Sequence, residues 1–141
     1  MRSLKDFFSS DSARVKRPLR RIAILISGRG SNMQALLQKI REGKLKAECV
    51  LVVSDREAKG IEVAWGFGVK AEVLARQKGE AREAFDARLA ARLQAAAVEV
   101  VVCAGYLRIL SGPMLKAYAG RILNVHPSIL PAFPGMNAQQ Q

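Results

Sequence analysis

The sequence predicts an α/β fold built on a doubly wound, mostly parallel sheet, and three observations carry that expectation. Short apolar runs alternate with segments of helical period from Arg21 onward. The first run, Arg21 to Ser27, is apolar without a break between Ile22 and Ile26, the mark of a strand covered on both faces. A helical connection separates each run from the next, which is how parallel neighbours are joined.

Taken in order, a Gly-rich turn follows the first strand. Met33, Leu36, Leu37 and Ile40 then recur at helical spacing until Gly43 stops the helix. Cys49 to Val53 reads as the second strand, ending at Ser54-Asp55, and Ile61 to Phe67 as a short helix closed by Gly68. Ala71 to Leu74 is a brief third strand. Ala81 to Ala97 is a longer amphipathic helix with Phe85, Leu89 and Leu93 on one face. Val98 to Ala104 is the fourth strand, Met114 to Tyr118 a short helix with Pro113 near its start, and the run through Ile122 and Leu123 a fifth strand ending at Asn124.

The length suits one domain with a real core, and no run approaches the 18 apolar residues of a membrane span. Cys49 and Cys103 fall in separate strands without CxxC spacing, and the chain has one histidine. That argues against a zinc site or a disulfide framework and fits free thiols in a reducing cytoplasm. The net charge is +11. Part of it comes from residues 1–20, where Arg2, Lys5, Arg14, Lys16, Arg17 and Arg20 face only Asp6 and Asp11, with serines and no apolar core of a signal peptide. Residues 1–20 are expected to be a disordered basic arm before a domain spanning 21–141. The remaining excess is spread along the helices without a basic cluster interleaved with aromatics. This suits anionic small molecules at least as well as a phosphate backbone, and small-molecule partners are expected ahead of nucleic acid. At the other end Asn137 to Gln141 reads as a cap and a single helical turn, which cannot persist alone, so the domain is expected to be incomplete at its C-terminus.

Two segments carry candidate chemistry. Ser27-Gly28-Arg29-Gly30-Ser31-Asn32 joins the first strand to the first helix. Its glycines admit close approach to the main chain, Ser31 and Asn32 suit an N-cap, and the free N–H groups of the first turn favour an anion. Met33 stands where a dinucleotide fingerprint needs glycine, while Asp55 ends the second strand where a ribose-binding acid would sit, so NAD is weakened without being excluded. There is no P-loop signature. At the far end, Asn124 and His126 sit two apart in an extended chain, on one face and roughly 6.5–7 Å apart along the backbone. Pro127 ends the strand there. An amide can stabilise an oxyanion and an imidazole can move a proton, although the pair alone also fits a histidine packed at a strand end.

Three segments, Ser27 to Asn32, Ala104-Gly105-Tyr106-Leu107-Arg108-Ile109-Leu110-Ser111, and Asn124-Val125-His126-Pro127-Ser128-Ile129-Leu130-Pro131, follow in order at fitting separations. Together they resemble the phosphoribosylglycinamide formyltransferase family, folate-dependent enzymes of purine synthesis, over Arg21 to Gln141. The resemblance implies the N-terminal part of a Rossmann-like formyltransferase. It implies that Gly30, Ser31 and Asn32 hold the phosphate of glycinamide ribonucleotide, and that Arg82, Leu107, Arg108, Ile109 and Leu110 contact the co-substrate 10-formyltetrahydrofolate. On the residues alone, Arg82 reads as a solvated helix charge and the apolar residues as core. Asn124 would bind the formyl oxygen and His126 would transfer protons. No metal is implied.

The implied reaction is attack of the glycinamide amine on the formyl carbon. The family's aspartate, which raises the histidine's pKa, falls downstream of Gln141, and Asn137 stands where many members carry histidine. The 141 residues alone are therefore expected to turn over poorly. Formyltetrahydrofolate deformylase and methionyl-tRNA formyltransferase share the Asn-x-His element and are the nearest alternatives, disfavoured by the glycine loop. A non-catalytic ligand- or RNA-binding fragment is the alternative from another class.

Overall fold

A computed structural model of the protein describes residues 19–125. The elements run β1 (Arg20–Ile26), α1 (Ser31–Arg41), β2 (Ala47–Ser54), α2 (Lys59–Gly66), β3 (Ala71–Val73), α3 (Arg82–Ala95), β4 (Val100–Ala104), α4 (Gly112–Ala117) and β5 (Ile122–Val125). The five strands form one sheet in the order β3-β2-β1-β4-β5, and each pairing is parallel. This is the doubly wound sheet that the alternating pattern predicts.

Alternation along each strand sends side chains to two cores. Ile22, Ile24 and Ile26 of β1 pack with Met33, Leu36 and Leu37 of α1 and with Ile61 and Ala64 of α2. Ala23 and Leu25 point the other way, joining Val101 and Cys103 of β4 beneath Leu89 and Leu93 of α3, Met114 of α4, and Tyr118. Each large apolar side chain so buried contributes about 1.5–3 kcal/mol. Tyr118 is buried without loss because its hydroxyl donates to the Val98 carbonyl at 3.0 Å. Among the described residues no helix is long and apolar enough to cross a membrane.

Several boundaries differ from the sequence reading. β2 begins at Ala47, ahead of Cys49. The expected helix through Ala97 ends at Ala95, and β4 starts at Val100 instead of Val98. Ala97 takes φ 56°, a left-handed turn in which Ala97 N–H donates to Gln94 and Val98 N–H to Leu93. Glycine is the usual residue there, so an alanine gives no stop signal. Pro113 lies in the first turn of α4, where its missing N–H costs nothing. β1 takes in Arg20, the last residue of the expected arm, and residues 1–18 lie outside the described residues.

Candidate functional site

The carboxyl ends of β1 and β4 diverge. From β1 the chain turns to α1 on one face of the sheet, and from β4 toward α4 on the other. Loops parting between adjacent strands leave a crevice, the usual ligand position in an open α/β sheet. Buried Ser27 ties the two loops together. Its N–H donates to the Gly105 carbonyl at 3.1 Å, and its Oγ accepts from the Leu107 N–H at 2.9 Å.

On the α1 side, Gly30 is the cap residue, with φ 79° and no side-chain cap bond. Ser31 and Asn32 thus enter the first helical turn, where the sequence reading has them as caps. The reason is steric. A Cβ at position 30 would meet the Gly60 Cα at 3.0 Å, and the left-handed φ adds a conformational demand, so glycine holds the cap. The first turn of α1 carries no acidic residue, while Lys39 and Arg41 sit in the last turn. The positive end of this helix thus has no acidic side chain or side-chain cap to offset it, an arrangement that favours an anion at such N–H groups. Met33 is fully buried under the loop as core.

Across the crevice, Arg56, Arg82, Leu107, Arg108 and Ile109 line a cleft of about 330 Å³. The structure thus gathers Arg82, Leu107, Arg108 and Ile109 as one lining, adds Arg56, and leaves Leu110 half-buried against the α3/α4 core. The core reading fails for Leu107 and Ile109, which are 69% and 70% exposed. Arg82 opens α3 from an exposed position. A cation at a helix N-terminus faces the positive end of the dipole, an unfavourable placement that Glu83 in the same turn offsets. Arg108 lies over the Phe85 ring at 4.4 Å, which orients its guanidinium. Arg108 Nε, Tyr106 Oη and Asp86 Oδ1 are buried with no hydrogen-bond partner. Burial, reinforced by the charges of Asp55 and Asp86, pushes the Tyr106 phenol up from its ordinary value, so the group stays protonated.

Arg56 is the cleft residue that the sequence does not single out; its only signal is adjacency to Asp55 at the end of β2. Its Nε and Nη2 donate to the two Asp55 oxygens at 3.1 and 3.0 Å. Burial alone would raise the Asp55 pKa, but hydrogen bonds from Arg56 and Ser27 outweigh it and hold the carboxyl below its ordinary value. A carboxylate so committed is a poor ribose acceptor, which further weakens the NAD alternative.

Asn124 of β5 is exposed and pairs in register with Cys103 of β4, while Leu123 and Val125 point to the α1/α2 core. Asn124 therefore shares a face with α3, α4 and the cleft loop. His126 lies outside the described residues. Burial pushes the Cys49 thiol up to about 12 and Cys103 to about 11, and among the described residues no cluster of His, Cys, Asp or Glu could hold a metal ion.

A parallel sheet whose switch point lies between an uncapped helix start and an arginine-lined cleft defines an open α/β protein with a crevice at its strand ends. The family model described as formyl transferase matches residues 20–141, and the chain belongs to that family. It is 40% identical over 121 residues to phosphoribosylglycinamide formyltransferase from Escherichia coli K12, covering 85% of this chain and 57% of the relative. It is 41% identical to the trifunctional purine biosynthetic protein adenosine-3 of Drosophila pseudoobscura pseudoobscura, across 95% of this chain and 10% of that protein. The crystal structure of glycinamide ribonucleotide transformylase 1 from Symbiobacterium toebii superposes with a TM-score of 0.76 at 51% identity, covering 87% of this chain and 58% of that one. The chain thus spans little more than half the length of the Escherichia coli relative and of the Symbiobacterium toebii chain, and a tenth of the Drosophila protein.

Proposed function

We propose that residues 21–141 supply the N-terminal part of a formyltransferase domain, which moves a formyl group from 10-formyltetrahydrofolate to the amine of glycinamide ribonucleotide in cytoplasmic purine synthesis. The observation that carries this reading is the pairing of two unlike ligand surfaces about one crevice. An uncapped helix start suits a phosphate, and a cleft with exposed Leu107 and Ile109 between three guanidinium groups suits a flat, partly apolar anion. The names of the family relatives agree with it.

In this reading the formyl-folate supplies an activated formyl carbon. Arg56, Arg82 and Arg108 attract its carboxylate tail, and Leu107 and Ile109 cover its ring. The backbone N–H groups at Gly30, Ser31 and Asn32 hold the ribonucleotide phosphate, which directs the amine toward the β5 end. Asn124 donates its amide to the formyl oxygen as negative charge develops, a contact worth more in the transition state than before it. His126 protonates the departing nitrogen.

The test is mass spectrometry of products with and without glycinamide ribonucleotide, using the 141-residue chain alone and extended by the C-terminal segment of a relative. Formyl on the ribonucleotide is expected from the extended chain. Free formate formed without ribonucleotide would favour the deformylase alternative. Asn124→Ala should lower turnover on the order of 10²–10³, and His126→Ala strongly. Near-normal turnover in both folded variants would remove the mechanism.

A further inference from the structure

We infer that Gly60 is a positioning residue for the Gly28–Asn32 loop: the first turn of α2 is the floor on which the loop rests, and only a hydrogen at that Cα leaves the loop's N–H groups at the height where a phosphate meets them. The inference rests on the reading of this loop as the phosphate site.

Gly60 is buried, and its N–H donates to the Gly28 carbonyl at 3.1 Å. A Cβ built on it would lie 2.9 Å from that carbonyl oxygen and 3.3 Å from the Gly30 Cα, and would overlap the Ile26 Cδ1. The contact is reciprocal, since a Cβ on Gly30 would come within 3.0 Å of the Gly60 Cα. The two glycines pack main chain on main chain. No positive φ is involved at Gly60, so the constraint there is space alone. A side-chain end such as Ile26 Cδ1 can rotate aside, whereas a carbonyl fixed by its own hydrogen bond moves only with its loop. The methyl group of an alanine at position 60 would therefore lift Gly28 and Gly30 together. It would also swing the start of α1 away from its ligand. Because the Gly60 N–H is already taken by Gly28, Gly60 contributes position to the site and no donor of its own.

The experiment uses the 141-residue chain in four forms: wild type, Gly60→Ala, Ile26→Val, and the double variant, in which the overlap with Cδ1 is gone and the carbonyl contact stays. Amide resonances of Gly28 to Asn32 should move in both variants that carry alanine and stay in place in Ile26→Val. Losing one charge-assisted bond to phosphate should raise the Kd for glycinamide ribonucleotide about 10- to 100-fold, while the formyl-folate Kd stays within about twofold, less than the 1.4 kcal/mol of a tenfold change. The double variant also keeps the test alive if Gly60→Ala folds poorly. Loop resonances unmoved in a folded alanine variant, or a double variant that binds ribonucleotide as Ile26→Val does, would overturn the inference. If wild type binds neither the ribonucleotide nor inorganic phosphate, the functional reading falls separately, and the loop resonances alone decide the role of Gly60.

Discussion

Asp55 exposes only 3% of its side chain, so its charge has to be matched locally. Arg56 matches it through two hydrogen bonds while remaining half-exposed at the cleft. The Ser27 hydroxyl supports the same carboxylate and accepts from Leu107, so strand end, cation and cleft loop form one connected unit. Arg56→Ala should raise the Kd for a polyanionic folate tail about 3- to 5-fold near physiological salt, because an exposed charge is screened. The loss should grow at low ionic strength. It should also lower the urea midpoint by leaving Asp55 buried and unpaired. Titrations at two salt concentrations would check it, and an unchanged salt dependence would take Arg56 out of the ligand field. A single arginine after a strand has no period and belongs to no motif, so this residue was not legible in the sequence. Asp55 was legible by position, but its commitment to Arg56 and Ser27 appears only in three dimensions.

At the scale of elements, α3 fixes the cleft through Asp86, which is fully buried. Its Oδ2 accepts from the Ser111 N–H at 2.6 Å and from the Ser111 hydroxyl at 2.7 Å. Ser111 is the cap residue of α4, so its hydroxyl is diverted from capping to anchoring the end of the Gly105–Ser111 loop. Asp86→Ala should cost about 3 kcal/mol, the scale of hydrogen bonds to a charged group, and should weaken folate binding as the loop loosens. Urea unfolding beside a folate titration is the check, and a loss under about 1 kcal/mol would show that the loop is held by other contacts. Most elements were legible because their burial follows a clean period, as at Met33, Leu36 and Leu37 or Phe85, Leu89 and Leu93. The resemblance names Leu107 and Ile109, but their exposure is not legible from the residues alone, because apolar residues in sequence suggest burial, whereas here the chain leaves β4 through Gly105 at φ 79° and carries both outward. The end of α3 was misplaced for a similar reason, since nothing in the identity of Ala97 announces a left-handed turn.

Across the whole molecule, basic residues outnumber acidic ones 23 to 12, so acidification adds charge to an already cationic chain. The carboxylates that remain ionised then matter most where they clasp parts of the fold. Two such clasps join α3 to the β3 side of the molecule. Arg92 grips Glu72 of β3 at 2.6 and 2.9 Å. Arg88 grips Glu80 at 2.8 Å through both nitrogens and also donates to the Ala75 carbonyl at 2.9 Å. The Arg88 hydrogen bonds, helped by the Gln77 N–H, hold Glu80 down at about 2, against an ordinary 4.5. A carboxyl whose folded pKa is depressed binds protons more readily in the unfolded chain, so its stabilisation is complete above the unfolded value and fades as pH falls toward the folded one. The Glu80 contribution should therefore be intact at neutral pH and disappear between about pH 4.5 and 2. Glu80→Gln should lower the urea midpoint at pH 7 and flatten the loss of stability across that acid window, converging with wild type at its lower end. Urea titrations of both proteins at half-unit steps from pH 7 to 2 would decide the point. Parallel acid profiles would show that the Arg88–Glu80 clasp carries no linked stability and that the acid sensitivity of this cationic chain arises elsewhere.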